Sequence, residues 1–126
     1  MLVSWDEYLA LRETIEIAND SLFFARLAQS DDEAEQGRFA PIDLQFANER
    51  LRLAESLSAD WNALTAAEKD AVAVELRRID DDPIVGAPLF EPLKGLWSHR
   101  TGDLRIVYRI VTEARFILIL AIARVT

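Results

Sequence analysis

Arg105 and Arg109 are the residues whose type and spacing most clearly suggest chemistry. In the run L-R-I-V-Y-R-I, Leu104, Ile106, Tyr108 and Ile110 alternate with Arg105, Val107 and Arg109. An extended strand would therefore be apolar on one face and carry two guanidinium groups about 13 Å apart on the other. That separation suits a polyanion better than one small ligand, because guanidinium groups fork onto phosphate oxygens. Lys94, Arg100 and Arg124 stand in neighbouring segments and extend the set. The same arginines serve equally well as solvated strand residues, or as partners for carboxylates elsewhere in the chain.

Such carboxylates are present, and they are segregated. Residues 1–45 hold ten acidic side chains against Arg12, Arg26 and Arg38, whereas residues 94–126 hold six basic ones against Asp103 and Glu113. An acidic N-terminal segment and a basic C-terminal one attract each other. His99 is the one histidine, but alternation in W-S-H-R puts it on the side of Trp97, which favours a packed or interfacial role over proton transfer. Trp5, Trp61 and Trp97 could stack nucleobases, although packing is the commoner fate of such residues. With no cysteine there is no disulfide framework or thiolate metal site, and neither a metal nor a cofactor is expected. The longest apolar run, Phe116 to Ala123, is far short of the roughly 20 residues that cross a bilayer, and the first residues lack the pattern of a signal peptide. A cytoplasmic location and no membrane partner are expected.

The elements that must position these groups read as α+β. Ser4 and Glu7, with Val3 and Tyr8 as a hydrophobic staple, start a helix near Trp5 whose stripe is Tyr8, Leu11, Ile15 and Ala18. A second helix over about 21–36 presents Phe24, Leu27 and Ala28, and Gly37 is its C-cap. Both stripes are too narrow to build a core alone, so the two helices read as an arm that must dock elsewhere. Residues 37–48 read as connector. R-L-R-L-A from Arg50 suggests a short strand, E-S-L-S-A-D-W-N-A-L begins a helix, and Thr65 with Glu68 caps another that ends before Asp80. A loop over 84–95 precedes strands at about 96–100, 104–111 and 115–124, which predicts a small antiparallel meander with helices packed on it. Its last strand, F-I-L-I-L-A-I-A, is apolar on both faces and belongs inside the sheet.

The stretch F-E-P-L-K-G-L-W-S-H-R-T-G-D-L-R-I-V-Y-R-I resembles the central motif of the RelE superfamily, and its YoeB-type toxins in particular. V-S-W-D-E-Y-L-A-L-R-E-T-I-E-I-A-N-D is similar to the start of the toxin-binding region of Phd/YefM antitoxins. The resemblances divide the chain into an antitoxin-like arm over 1–45 and a toxin-like domain over 46–126. They imply cleavage of ribosome-bound mRNA by attack of a 2′-hydroxyl on the adjacent phosphate. Glu91 would be the general base, Arg105 the principal phosphate clamp, Arg100 an auxiliary and Lys94 a contact to the RNA backbone; Arg109 and Arg124 join them as phosphate-binding candidates from their place in the meander. Removing one aimed cation or proton-transfer group typically lowers such a rate by about 10²- to 10⁴-fold.

Departures from the motif qualify that expectation. The His-Tyr pair with which YoeB-type chains supply the acid is replaced by Val125-Thr126, and the loop after E-P-L-K is short. Nuclease activity is accordingly expected to be weak or lost. An antitoxin's DNA-binding domain has no counterpart before the arm, so operator binding is not expected. The partners implied are the chain's own arm or that of a second copy, which would give a homodimer by arm exchange, and otherwise the ribosome and mRNA. A tether of this kind gives an effective concentration of order millimolar, so even micromolar affinity would leave only about 0.1% of arms undocked. A ParE-like binder of DNA gyrase, with this fold but without the nuclease residues, is the alternative.

Overall fold

The computed structural model describes residues 4–42 and 50–125. Within them run helices α1 (Trp5–Ala18), α2 (Ser21–Glu35), α3 (Leu57–Asn62) and α4 (Ala66–Asp81). The strands are β1 (Leu51–Leu53), β2 (Ala87–Pro88), β3 (Leu96–Thr101), β4 (Leu104–Val111) and β5 (Phe116–Arg124). The α+β expectation holds, as do the three C-terminal strands. The sheet is mixed, however, not purely antiparallel: its order is β1-β5-β4-β3-β2, and β1 runs parallel to β5 with Leu51 opposite Ile117. β5 is apolar on both faces and needs a neighbour on each edge. The α3–α4 connection is long enough to let β1 supply one in parallel. β2 lies in the segment 84–95 whose prolines and glycines predict a loop; it pairs with β3 at the sheet edge, the place where a residue without an N–H is tolerated.

Local signals explain most boundaries. Thr65 and Glu68 form a complete capping box at α4, and Ser4 accepts the Glu7 amide at α1. The staple residue Val3 lies outside the described residues. Gly37, at φ 72°, ends α2 with its N–H on Ala34 O while Arg38 N–H reaches Glu33 O, a Schellman-type stop. Part of the expected connector is paired: Phe39 bridges to Ala54, and Ala40 N–H donates to Leu53 O at 2.8 Å, so residues 38–40 follow the outer edge of β1. Most of its remainder, including Leu44 and Phe46, lies outside the described residues.

Helices cover the sheet on both sides. On one, Leu57, Val72, Leu76 and Ile79 pack against Ile106, Tyr108, Ile117 and Ile119. On the other, Ile17 and Leu27 meet Val107, Leu118, Leu120 and Ala121. The last two are sequence neighbours on the same face because the β4–β5 register shifts at Val107/Tyr108, where Ala121 and Ile119 are paired and Leu120 is the extra residue of a bulge.

Tyr108 anchors the segment leading into β2. Its hydroxyl donates to Pro83 O at 2.7 Å and accepts the Gly86 N–H at 3.1 Å, and burial pushes its pKa up to about 12. A Cβ on Gly86 would stand 2.7 Å from that hydroxyl oxygen and 3.0 Å from the Ser98 carbonyl oxygen. Gly86→Ala is therefore expected to destabilise the fold by about 1–3 kcal/mol, read as a lower urea midpoint at unchanged m.

Candidate functional site: the arginine face of the sheet

Arg105 and Arg109 do emerge on one face of β4, opposite the side packed on α3 and α4, and the face they share is the one covered by α1 and α2. Arg105 is almost wholly buried. Its guanidinium holds two carboxylates of α1, Glu13 and Glu16, each in a short ion pair. Arg100, directly across the β3–β4 ladder, reaches the same Glu13 at 3.8 Å. Two arginines facing one another across a ladder repel; Glu13 lies between them and removes that cost. From the second helix, Asp31 of α2 takes Arg109 in a two-pronged pair of 2.7 and 3.2 Å.

Glu13 is itself buried and also accepts from Ser98 Oγ at 3.1 Å. Burial raises its pKa, but the Arg105 hydrogen bonds and charge, with Arg100 behind them, outweigh this and hold the carboxyl below its ordinary value. The site is thus a charge-neutral cluster in which the anions are the protein's own.

α2 is fastened by equally specific contacts. The bulge leaves the Leu120 carbonyl without a strand partner, and Ser30, fully buried, donates to it at 2.7 Å with Arg26 adding a bond at 3.3 Å. Arg26 also pairs with Asp60 at 2.8 Å, whose carboxylate accepts the Ile122 amide; burial raises the Asp60 pKa despite both partners. Glu33 accepts from the Ser56 amide at 2.8 Å and its hydroxyl at 2.6 Å, capping the start of α3 from another helix. Although burial opposes it, those Ser56 hydrogen bonds leave the Glu33 pKa lowered. Ser30→Ala should leave the Leu120 carbonyl poorly satisfied and cost about 1–3 kcal/mol, read as faster amide exchange in α2 with β3–β4 protection unchanged.

The docking face differs from the one expected. α1 buries Ala10, Glu13, Thr14 and Ile17, while Tyr8, Leu11 and Ile15 stay exposed; α2 buries Leu27, Ser30 and Glu33, while Phe24 and Ala28 do not pack inward. The reason is polar satisfaction. The sheet surface below carries a buried guanidinium and a bulge carbonyl, and leaving either unpaired costs more than exposing a few apolar side chains.

The other sequence-predicted residues separate. Glu91 and Lys94 are exposed in the turn before β3 and line a cavity of about 720 Å³ partly roofed by Asp6, Glu7 and Ala10 of α1. Leu96, which follows that turn, pairs with Arg109, so Glu91 belongs to the opposite end of β4 from Arg105. Base and clamp are not brought together. Arg124 stands apart from all of them: it bonds Ala63 O at the end of α3 and pairs at 2.6 Å with Glu68 in the first turn of α4, which draws the Glu68 pKa down to about 2. His99 pairs with Glu75 at 2.6 Å and Trp97 stacks on Tyr108, both packed as expected, whereas Trp5 is 69% exposed against Tyr8.

Sequence reasoning missed Glu13, Glu16, Asp31, Ser30 and Glu33 individually. The acidic excess of residues 1–45 signalled the four carboxylates but not Ser30, and each of the five sits on a helix flank that reads as solvated. Among the described residues no helix is long and apolar enough to cross a membrane, and no cluster of metal-ligating side chains forms.

Comparison with known proteins agrees with this architecture. The family model described as ParE toxin of type II toxin-antitoxin system, parDE, matches residues 42–125. A chain in the toxin-antitoxin complex RelBE2 from Mycobacterium tuberculosis is 31% identical with a TM-score of 0.54, over 59% of this chain and 94% of that one. The isolated E. coli RelE toxin (14% identity, TM-score 0.54, 60% and 83% covered) and the intact E. coli RelBE toxin-antitoxin complex (14%, 0.53, 60% and 95%) share the fold. A search of curated proteins finds no match.

Proposed function

The chain belongs to the family of ParE toxins of type II toxin-antitoxin systems, and from that premise we propose that it is a self-neutralised toxin. Residues 46–126 are the toxin domain and residues 1–45 an antitoxin-like arm that occupies the face through which the domain meets its target. The observation that carries the reading is the placement of Glu13 and Glu16 on Arg105 and of Asp31 on Arg109. A phosphodiester backbone presents the same charge to the same guanidiniums, so arm and nucleic acid compete for one surface. The complexes of RelBE2 and RelBE place a toxin with its antitoxin as separate chains; here both would be one polypeptide. The distance along β4 from Glu91 to Arg105 fits a domain with little or no ribonuclease activity when the arm is docked.

The test is a full-length variant carrying Glu13→Arg, Glu16→Arg and Asp31→Arg, expressed beside the unaltered chain in bacteria. Growth arrest is expected from the variant alone. Harmlessness of a variant whose α1 and α2 amides exchange freely would overturn the proposal. Primer extension on ribosome-bound mRNA assigns the target as RNA if cleavage accompanies the arrest. The ParE family match favours a second reading of the target, DNA gyrase, which loss of supercoiling activity without mRNA cleavage would identify.

A further inference from the structure

A second cavity, about 560 Å³, lies between α1 and the β2–β3 edge of the sheet, within the roughly 300–1,000 Å³ of small-molecule sites. Arg12 and Arg100 both line it, one from the arm and one from the sheet. Among the described residues Arg12 has no hydrogen-bond or ion-pair partner, and its Nε is buried without one. A buried guanidinium N–H left unmatched is costly and uncommon. Arg100 has only the distant contact to Glu13, which is already engaged by Arg105. Two carboxylates share the wall, Glu13, held by Arg105, and the exposed Asp6. The rest of the lining is largely apolar, with Leu9, Ile84 and Val85 offering room for a flat organic group.

We infer that this cavity binds a small phosphomonoester, its phosphate bridging Arg12 and Arg100 and its organic body against Leu9, Ile84 and Val85. Two guanidiniums, one with an unused N–H, match a dianionic phosphate, and the apolar wall distinguishes an organic ester from the free ion. Because one cation comes from α1 and the other from β3, the ligand contacts arm and sheet together and stabilises the docked arrangement by linkage. This effector site goes beyond the proposed function; it depends on the docked geometry, not on whether the domain is toxic.

Calorimetric titration of the full chain with AMP tests it, with adenosine and inorganic phosphate as parallel titrants. AMP is expected to bind at submillimolar concentration, phosphate more weakly, and adenosine not at all. Arg12→Met keeps the aliphatic stem and removes only the cation. It should hold or raise the unliganded melting temperature, since an unmatched buried N–H is removed, and weaken AMP by about ten- to a hundredfold, while Lys69→Ala on α4 should leave AMP binding intact. AMP should also raise the melting temperature of the unaltered chain but not of Arg12→Met. Absence of AMP binding at millimolar concentration, equal binding of adenosine, or full affinity in Arg12→Met would each overturn the assignment.

Discussion

Glu13→Ala is expected to lower stability by about 3–5 kcal/mol, the cost of leaving a buried charge without its partner. Arg105 is 7% exposed, and among the described residues only Glu16, itself partly exposed, is left beyond Glu13 to balance it. Glu13→Gln keeps the hydrogen-bond acceptor and should lose less. The loss should appear first as opening of α1 and α2, which hydrogen exchange resolves from global unfolding; unchanged exchange in both helices would contradict the role given to this pair. Acid acts on the same group. The Glu13 carboxyl titrates lower in the folded chain than its ordinary value of 4.5, so its contribution is complete above that value and is withdrawn as the pH falls through the folded one. Glu68, lowered to about 2 by Arg124, behaves with the same sign at the start of α4. Arm docking should therefore be intact at neutral pH and weaken below about pH 4.5. In Glu13→Gln the Glu13 part of that acid transition should be missing.

Substitutions at two adjacent positions of β5 should have different consequences at similar cost. Ile119 and Leu120 are both fully buried, and truncating either to alanine should remove about 2–5 kcal/mol. Ile119 packs with α3, α4 and Tyr108, whereas the bulge turns Leu120 toward α1 and α2. Ile119→Ala should reduce protection throughout the sheet and α4. Leu120→Ala should accelerate exchange mainly in α1 and α2, and it should promote whatever activity the covered face has. Equal effects of the two substitutions on α4 protection would show that the two helical layers open as one unit instead of separately.

The exposed stripe of α1 illustrates why docking is harder to read than helix formation. Tyr8, Leu11 and Ile15 recur at helical spacing, and that spacing correctly marks a helix over Trp5–Ala18. It does not mark the inward face, which went to Glu13, Thr14 and Ile17. Hydrophobic periodicity measures one residue's preference at a time. The choice of face was made by a guanidinium 92 positions away, whose desolvation only a carboxylate could offset. Thr14 is used in the same manner, accepting the Phe90 amide at 2.9 Å from a loop that no local pattern links to it.

From sequence alone the helices, the three C-terminal strands, the guanidinium face of β4 and the segregation of charge that draws the two ends together were all determined, because each depends on residues a few positions apart. The tertiary structure alone decided the parallel β1–β5 pairing, the bulge at Leu120, the pairing of β2, the inward face of α1 and α2, and the separation of Glu91 from Arg105. Those features depend on which distant groups share one buried volume. There, the free energy of an unpaired charge or carbonyl exceeds the difference between burying one helix face and another.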